Sequence, residues 1–194
     1  MLVHQPSKRI ILNLANPAKV TTLLPDAKAF DYKGHTLVAV PHRVDDIKVL
    51  RNLGIKAPSP VLYRYNWSGQ FQPFFAQRQT VDFLTMHPRA FVLNDMGTGK
   101  SLATLWAFDY LRSIGRATKM LVVCPLSTME RTWADEVFRH FPHLNTSVIH
   151  GTKDRRLKLL AADADIYIIN HHGVKIVLPD LLARQDIDTL VLDE

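Results

Sequence analysis

A glycine-rich segment of this chain carries the residue types that hold the phosphates of a nucleotide: Asn94-Asp95-Met96-Gly97-Thr98-Gly99-Lys100-Ser101. Glycines let backbone N–H groups close around a phosphate, and the N-terminus of a following helix adds partial positive charge. In such a loop Lys100 reaches the β- and γ-phosphates and the Ser101 hydroxyl binds Mg²⁺. The first position of the GxxxxGK[ST] pattern is Asn94 instead of glycine. The segment predicts ATP and Mg²⁺ as cofactors, with residues 95 to 101 as ligands.

Two carboxylates follow an apolar run at the far end of the chain, in Leu190-Val191-Leu192-Asp193-Glu194. A carboxylate at the C-terminal end of a sheet strand can face the phosphate loop and hold Mg²⁺, which is the role predicted for Asp193. The next carboxylate, Glu194, can orient and deprotonate the attacking water. The predicted catalytic residues are therefore Lys100, Asp193 and Glu194, on one sheet.

Gln77 is a candidate for recognising the adenine base. A glutamine amide donates and accepts at once, which suits the adenine edge, and Phe71 or Phe74 could stack on the ring. An ordinary polar helix position explains Gln77 equally well. Further on, Ser127 and Glu130 have the spacing of a capping box.

Apolar runs alternate with helical patterns in the second part of the chain, which predicts a parallel sheet with both faces covered. A further helix is predicted over Phe74–Met86. The expected strands are Ala90–Leu93, Met120–Cys124, Thr146–His150, Asp165–Asn170 and Thr189–Asp193, and the expected helices are about 101–114, 128–141, 153–162 and 171–184. The first part reads as a small α+β module, with strands Arg9–Leu14 and His35–Val40 and helices Pro17–Leu24 and Asp45–Leu53. We place the boundary between residues 68 and 69, at the end of a stretch punctuated by Ala57-Pro58-Ser59-Pro60 and Ser68-Gly69. Within it Tyr63, Tyr65 and Trp67 alternate with strand period, which predicts an aromatic face that packs on a neighbouring domain, with stacking on bases as the alternative.

The positive charge of the chain is concentrated in its first third. Residues 1–68 contain ten Lys and Arg against four Asp, whereas residues 69–194 are balanced, so the net charge of +6 belongs to the first module. This favours contact with a polyanion such as DNA, with a generally basic surface as the alternative. The single cysteine excludes an internal disulfide framework. No apolar run is long enough for a membrane helix and the N-terminus is not a signal peptide, so we expect a cytoplasmic, nucleoid-associated or nuclear protein and no membrane partner.

Taken in order, the motifs from about residue 71 to 194 resemble those of the first RecA-like lobe of Swi/Snf-type ATPases, within the superfamily-two helicases. The segment Asp95 to Ser101 resembles the family's D-E-M-G-L-G-K-T with an offset of one, because Asn94-Asp95 stand where the family has Asp-Glu. Val191-Leu192-Asp193-Glu194 resembles the start of its D-E-A-H box. Gln77 lies six residues before Phe83, as in the family's Q-motif helix. The remaining matches are Val122-Val123-Cys124-Pro125-Leu126-Ser127 with Trp133 and Glu136, the pair His150-Gly151, and Ile168-Ile169-Asn170, after which the pair His171-His172 departs from the family pattern.

The resemblance implies ATP hydrolysis coupled to movement along duplex DNA. The family-like DNA-facing positions are Pro125, Leu126 and Ser127 together with Asn170, His171 and His172, and the contacts are expected to be mainly with the phosphate backbone. It also implies a second RecA-like lobe carrying an arginine finger, which this sequence lacks. We therefore expect an N-terminal fragment that ends within the D-E-A-H box and hydrolyses ATP weakly or not at all. The segment Lys33–Leu53 faintly resembles the HARP-type module of annealing helicases.

Two other function classes remain open at the level of sequence. One is a different phosphate-loop NTPase or a small-molecule kinase, which would need an acceptor site and a lid. The other is a non-catalytic DNA-binding module with a vestigial nucleotide fold. The nine histidines give no four-ligand zinc set, and Asp109, Asp135 and Glu136 are interpreted as solvated helix charges. The basic cluster of Lys153, Arg155, Arg156 and Lys158 is interpreted as a solvated helix face, with contact to phosphate as the alternative.

Overall fold

Alternating apolar residues build an antiparallel sheet in the first part of the chain. The computed structural model, which describes residues 1–193, orders its strands β1-β2-β4-β3: β1 (Leu2–His4), β2 (Arg9–Asn13), β3 (Lys28–Tyr32) and β4 (His35–Pro41). Ile10 and Leu12 of β2 pair with Val40 and Val38 of β4, and all four are buried. The helices are α1 (Pro17–Leu23), α2 (Val44–Asn52) and α3 (Val61–Arg64). The sheet therefore has one buried face, as period-two alternation predicts.

Contact clustering divides the chain into two units. The first contains Met1–Tyr65 with Asp82–Ala90, and the second contains Asn66–Val81 with the chain from Phe91 onwards. The helix α4 (Phe75–Met86) is thus divided between the two units: its residues up to Val81 belong to the second unit, and those from Asp82 belong to the first. Compared with the boundary expected near residue 68, the first unit also includes the second half of α4.

The strand predicted around Tyr63, Tyr65 and Trp67 is wrong, because the chain turns helical there. Pro60 adopts a helical backbone conformation, with φ −59° and ψ −30°, and starts α3. Tyr63 lies with its ring 5.7 Å from that of His42, whereas Trp67 belongs to the second unit and meets Trp106 edge-on at 5.7 Å. These aromatic rings pack within their own units.

The second unit is built on a parallel sheet of order β6-β7-β5-β8. Its strands are β5 (Lys119–Cys124), β6 (Thr146–Ile149), β7 (Ile166–Asn170) and β8 (Ile187–Leu192). The residues 120–124 and 166–169 are all buried, so both faces of the two central strands are covered, as the unbroken apolar runs predict. The surrounding helices are α5 (Lys100–Ser113), α6 (Asp135–His140), α7 (Lys153–Ala161) and α8 (His171–Ala183).

The strand predicted over Ala90–Leu93 is wrong. This segment has no regular structure, and the side chains of Phe91 and Leu93 are 90% and 91% exposed. A strand forms only where a neighbour supplies hydrogen bonds, and within residues 1–193 no strand pairs with this segment. The phosphate loop is therefore reached through irregular chain.

The helix predicted over 128–141 is present but begins differently. Residues Met129–Ala134 form a π-helical segment that continues into α6. The N-cap is Thr128, whose hydroxyl and amide both donate to the carbonyl of Pro125, while Ser127 is exposed. The capping box predicted for Ser127 and Glu130 is wrong, because the turn closes on Pro125 one residue later.

The helix α8 is kinked, which explains its weak sequence pattern. Val177 departs from helical geometry with φ −116° and ψ 19°, two residues before Pro179. Proline lacks the amide hydrogen that an inner helical turn needs and clashes with the preceding turn. Within residues 1–193 no helix combines the length and the apolar composition needed to cross a bilayer.

Candidate active site

The parallel sheet brings the predicted DNA-facing segments to one edge. Cys124 of β5 pairs with Asn170 of β7, and Ile169 pairs with Ile149 of β6, so the three strands end side by side. The segments that leave these ends are Pro125–Ser127, Asn170–His172 and His150-Gly151, and Asp193 follows β8 on the other side of β5. Loops at the carboxyl edge of a parallel sheet are the common location of ligand sites. We call this row of segments the carboxyl edge.

A groove of about 380 Å³ opens along the carboxyl edge. It is lined by Leu126, Ser127, Met129, Glu130, Arg131, Val148 and His150. Leu126 and Ser127 are exposed there, and so are His171 and His172 after β7. Four of the six predicted DNA-facing side chains are thus exposed, whereas Pro125 and Asn170 are partly buried. Contact of these residues with DNA stays a prediction.

The phosphate loop adopts a left-handed glycine conformation immediately before α5. Gly97 and Gly99 have φ of +76° and +72°, and Gly99 is the N-cap of α5. The positive φ favours glycine at position 99, where a Cβ would also meet the Nε2 atom of Gln77 and displace the end of that side chain. The backbone thus reverses sharply into the first turn of a long helix, as the motif predicts.

Lys100 lies over the phosphate loop. Its ammonium donates to the carbonyls of Asn94 and Asp95 at 3.0 and 3.1 Å, and the Thr98 hydroxyl donates to the Asp95 carbonyl at 2.8 Å. Within residues 1–193 only neutral carbonyl oxygens hold the ammonium, which leaves its charge available for an anionic ligand. Met96 is exposed at the tip of the loop.

The side chains of α4 secure the loop from one side. The buried Gln77 accepts from the Phe74 amide at 2.9 Å through Oε1, and its Nε2 lies against Gly99. Asn94, which stands in place of the first motif glycine, donates from Nδ2 to Thr80 Oγ1 at 3.0 Å. The departure from the motif thus supplies an anchor between the loop and α4. Adenine recognition by Gln77 stays a prediction.

Asp193 is held at the end of β8 by the π-helical segment. Its amide donates to the Val123 carbonyl, and its Oδ2 accepts from the indole Nε1 of Trp133 at 2.8 Å. Trp133 is buried, and its indole also orients the carboxylate proposed to hold Mg²⁺. Burial, and to a smaller extent the charge of Asp193, raise the pKa of the Cys124 thiol. Glu194, the second predicted carboxylate, lies outside the described residues.

The opposition of Lys100 and Asp193 stays a prediction. Among residues 1–193 no hydrogen bond or ion pair joins the two side chains, and the loop carrying Lys100 does not follow a strand of the sheet. Asp193 uses only Oδ2 in its bond to Trp133.

Sequence reasoning missed Arg156, which was expected in a solvated face. Arg156 is only 7% exposed, and its guanidinium donates to the carbonyls of Ile149 and Gly151 and to Asn170 Oδ1. Its acceptors lie at the ends of two strands, so only the tertiary structure reveals them. Lys153, Arg155 and Lys158 are exposed, as expected.

Two acidic residues expected to be solvated are also partly or fully buried. Asp109 accepts from the His143 ring at 2.7 Å and from the Ser68 hydroxyl at 3.1 Å. Glu136 is half-buried, and its Oε2 has no hydrogen-bond partner within residues 1–193. Burial raises the pKa of Glu136 to about 7, partly offset by the charge of Arg139. Asp135 is exposed, as expected.

Comparison with known protein families decides the family of this chain. The model of the SNF2-related domain matches residues 65–194. The chain belongs to the SNF2-related family. The match contains the phosphate loop, the parallel sheet and the carboxyl edge, so the resemblance of the motifs to Swi/Snf-type ATPases is confirmed.

Individual relatives agree with this assignment. The chain is 32% identical over 114 residues to the ISWI chromatin-remodeling complex ATPase ISW1 of Saccharomyces cerevisiae, covering 54% of this chain and 10% of that protein. It is 35% identical over 66 residues to the ATP-dependent DNA helicase DDM1 of Arabidopsis thaliana, covering 34% of this chain and 8% of DDM1. This SNF2-related chain thus spans a tenth or less of these two relatives.

A solved structure supports the fold of the second unit. The Sulfolobus solfataricus SWI2/SNF2 ATPase core in complex with dsDNA superposes with a TM-score of 0.55 at 26% identity. The superposition covers 66% of this chain and 27% of that one. The predicted fold class, a RecA-like α/β lobe with a parallel sheet between helices, is confirmed, and the α+β module supplies the additional antiparallel sheet.

Proposed function

We propose that this SNF2-related chain is the ATP- and Mg²⁺-binding first lobe of a DNA-dependent ATPase that moves along duplex DNA. The observation that carries the proposal is the left-handed glycine loop under Lys100, which begins a long helix inside the matched segment 65–194. A kinase and a vestigial nucleotide fold remain the alternatives. The relatives' printed names, an ATP-dependent DNA helicase and chromatin-remodeling ATPases, favour the motor.

The residues present fit a magnesium nucleotide. The first turn of α5 presents backbone N–H groups and the positive end of the helix dipole, and the Lys100 ammonium lies over the loop. Ser101 and Asp193 would hold Mg²⁺, and Gln77 would meet the base. When bound, the metal neutralises charge on the phosphates and leaves this chain to orient them. A second carboxylate next to the metal ligand can orient and deprotonate the attacking water, which is the role we propose for Glu194.

DNA is proposed to bind along the carboxyl edge. The segments Pro125–Ser127 and Asn170–His172, each with two exposed residues, leave neighbouring strand ends, so both can reach the same stretch of a duplex. Contacts with phosphates release counterions, so the affinity is expected to fall steeply with salt. The relative solved with dsDNA supports a duplex as the partner. The cellular location that follows is any compartment containing DNA.

The test of this proposal is a titration of the chain with labelled ATP and Mg²⁺. The variant Lys100→Ala removes the ammonium over the loop, and Lys175→Ala removes an exposed lysine of α8 as a matched control. We expect the wild type and the control to bind alike, and Lys100→Ala to bind at least about tenfold more weakly, since a charge-assisted contact with phosphate is worth about 1.5–3 kcal/mol. Equal and negligible binding by all three proteins would favour the vestigial fold.

Hydrolysis is proposed to require a second RecA-like lobe. An arginine finger contributes about 10³ to 10⁵ in rate in related phosphoryl-transfer systems. The 194-residue chain is therefore expected to turn ATP over slowly, even with duplex DNA present. Rapid, DNA-stimulated hydrolysis by this chain alone would contradict the proposal that hydrolysis requires a second lobe.

A further inference from the structure

Arg156 is a buried cation directly behind the carboxyl edge. Its Nη1 donates to the Ile149 carbonyl at 2.8 Å and to Asn170 Oδ1 at 3.2 Å, and its Nε donates to the Gly151 carbonyl at 2.9 Å. One guanidinium thus joins the loop after β6 to the loop after β7. Within residues 1–193 no carboxylate pairs with it, so its charge is met only by neutral oxygens.

The bond to Arg156 fixes which end of the Asn170 amide faces outward. A guanidinium has donors only, so the atom of Asn170 that meets it must be the oxygen. Asn170 is also the N-cap of α8, where an asparagine oxygen usually accepts from the helix, yet its side chain makes no capping bond. The oxygen is committed to Arg156, and Nδ2 has no partner within residues 1–193. The donor end of the amide is left for a ligand.

Gly173 shows how closely this arrangement is packed. A Cβ at this position would come within 2.7 Å of Asn170 Oδ1 and would collide with Arg156 Nη1. Gly173 is buried in the first turn of α8. The space above it is therefore filled by the Arg156–Asn170 contact, and any larger residue would separate the pair.

We propose that Arg156 is a positioning residue for DNA, which turns the Asn170 side chain so that its NH₂ group donates to a backbone phosphate. The inference rests on the proposed function and deepens it by naming the group that reads the phosphate and the residue that aims it. Two separate loops are held as one surface by the same guanidinium. Its uncompensated charge, close to the same edge, also attracts a polyanion.

The decisive variant is Asn170→Asp, which keeps the oxygen for Arg156 and replaces the outward donor with a second anionic oxygen. Asn170→Ala removes both the oxygen and the NH₂ group of the amide, and Arg156→Lys keeps the positive charge but not the forked guanidinium. Lys158→Ala is an exposed control on α7, the helix that carries Arg156. Affinity for a fluorescent duplex is measured by anisotropy between low and moderate salt. Thermal unfolding of each variant reports folding.

We expect the order of duplex affinity to be wild type and Lys158→Ala, then Asn170→Ala, then Asn170→Asp. The aspartate variant should bind about tenfold more weakly than wild type at low salt because its carboxylate repels phosphate, while its thermal stability is retained by the ion pair with Arg156. Arg156→Lys should lose affinity with little change in salt slope, since the number of charges is unchanged.

Three outcomes overturn the inference. If the Asn170→Asp variant bound DNA as tightly as the Asn170→Ala variant, the amide would not donate to phosphate. A purely structural role of Asn170 would be kept by aspartate, which still accepts from Arg156, and lost by alanine. Unchanged affinity in a folded Arg156→Lys protein would remove the positioning role of Arg156. Absence of duplex binding by the wild type would refute the proposed function itself, and the inference with it.

Discussion

A single buried carboxyl oxygen distinguishes Glu136 from Asp135, the other acidic residue of α6. Oε2 of Glu136 is inaccessible and unpaired within residues 1–193. An ionised carboxylate in this position loses solvation without a compensating donor, and the nearby Arg139 only partly offsets that loss. The raised pKa of about 7 means that the proton stays bound at pH values where an exposed glutamate is ionised.

The variant Glu136→Gln is expected to stabilise the protein in a pH-dependent way. Because the folded pKa of about 7 exceeds the ordinary value of 4.5, the folded chain holds the proton more tightly, and its stability falls as pH rises through this window. The gain in unfolding free energy of Glu136→Gln over wild type should grow from pH 4.5 to 7 and then level off. Allowing for solvent screening, the plateau is about 1–3 kcal/mol. Urea unfolding across this range measures it.

Glu130→Gln serves as the control, since Glu130 is exposed in the adjoining π-helical segment. Its stability difference from wild type should be flat with pH over the same window. A flat profile for Glu136→Gln as well would show that Glu136 is solvated in the folded protein.

At the scale of elements, the π-helical segment Met129–Ala134 lies between the groove of the carboxyl edge and Asp193, which we propose holds Mg²⁺. One side of it lines the groove with Glu130 and Arg131, and the buried Trp133 reaches Asp193. Single π-helical turns occur often at functional sites, because the extra residue re-aims a side chain. Here the indole N–H is aimed at the carboxylate that we propose holds Mg²⁺.

Trp133→Phe should weaken binding of Mg²⁺ and ATP by several-fold. The phenyl ring keeps most of the packing but cannot donate to Asp193, whose carboxylate then loses its orientation. Trp106→Phe is the matched control, since Trp106 is equally buried and its N–H donates to the Ser68 carbonyl at 2.7 Å. Both variants should lose about 1–3 kcal/mol of stability, but only Trp133→Phe should lose nucleotide affinity. Equal nucleotide affinities for the two variants would contradict the orienting role.

The sequence predicted the elements that depend on residues close together in the chain. Period-two and unbroken apolar runs located β2, β4, β5, β6, β7 and β8, and the glycine loop before α5 has the left-handed geometry that its motif requires. Two of the failures have distant causes. The segment Ala90–Leu93 has strand composition but no pairing partner within residues 1–193, and Arg156 is buried only because two separate strand ends offer it acceptors. Neither cause is visible within a short window of sequence.

At the scale of the whole molecule, charge and sheet geometry point to two surfaces for DNA. The carboxyl edge belongs to the unit matched by the SNF2-related model, which is nearly neutral over residues 69–194. The excess of six positive charges lies in residues 1–68. In that part Lys19 of α1 and Lys28 of β3 are exposed, and no hydrogen bond or ion pair involves their ammonium groups within residues 1–193. Free ammonium groups on a basic unit are suited to non-specific contact with phosphates.

The double variant Lys19→Gln, Lys28→Gln should therefore reduce both the affinity for duplex DNA and its dependence on salt. If each lysine meets one phosphate, the slope of log affinity against log salt becomes shallower by about 2. The reason is that binding with two fewer phosphate contacts releases fewer counterions from the DNA. The matched control is Lys158→Gln, Lys175→Gln, which removes the same charge from exposed positions of the second unit. Anisotropy titrations at several salt concentrations separate the two cases. Equal slopes for both double variants would mean that net charge alone matters, and the first unit would then have no contact surface of its own.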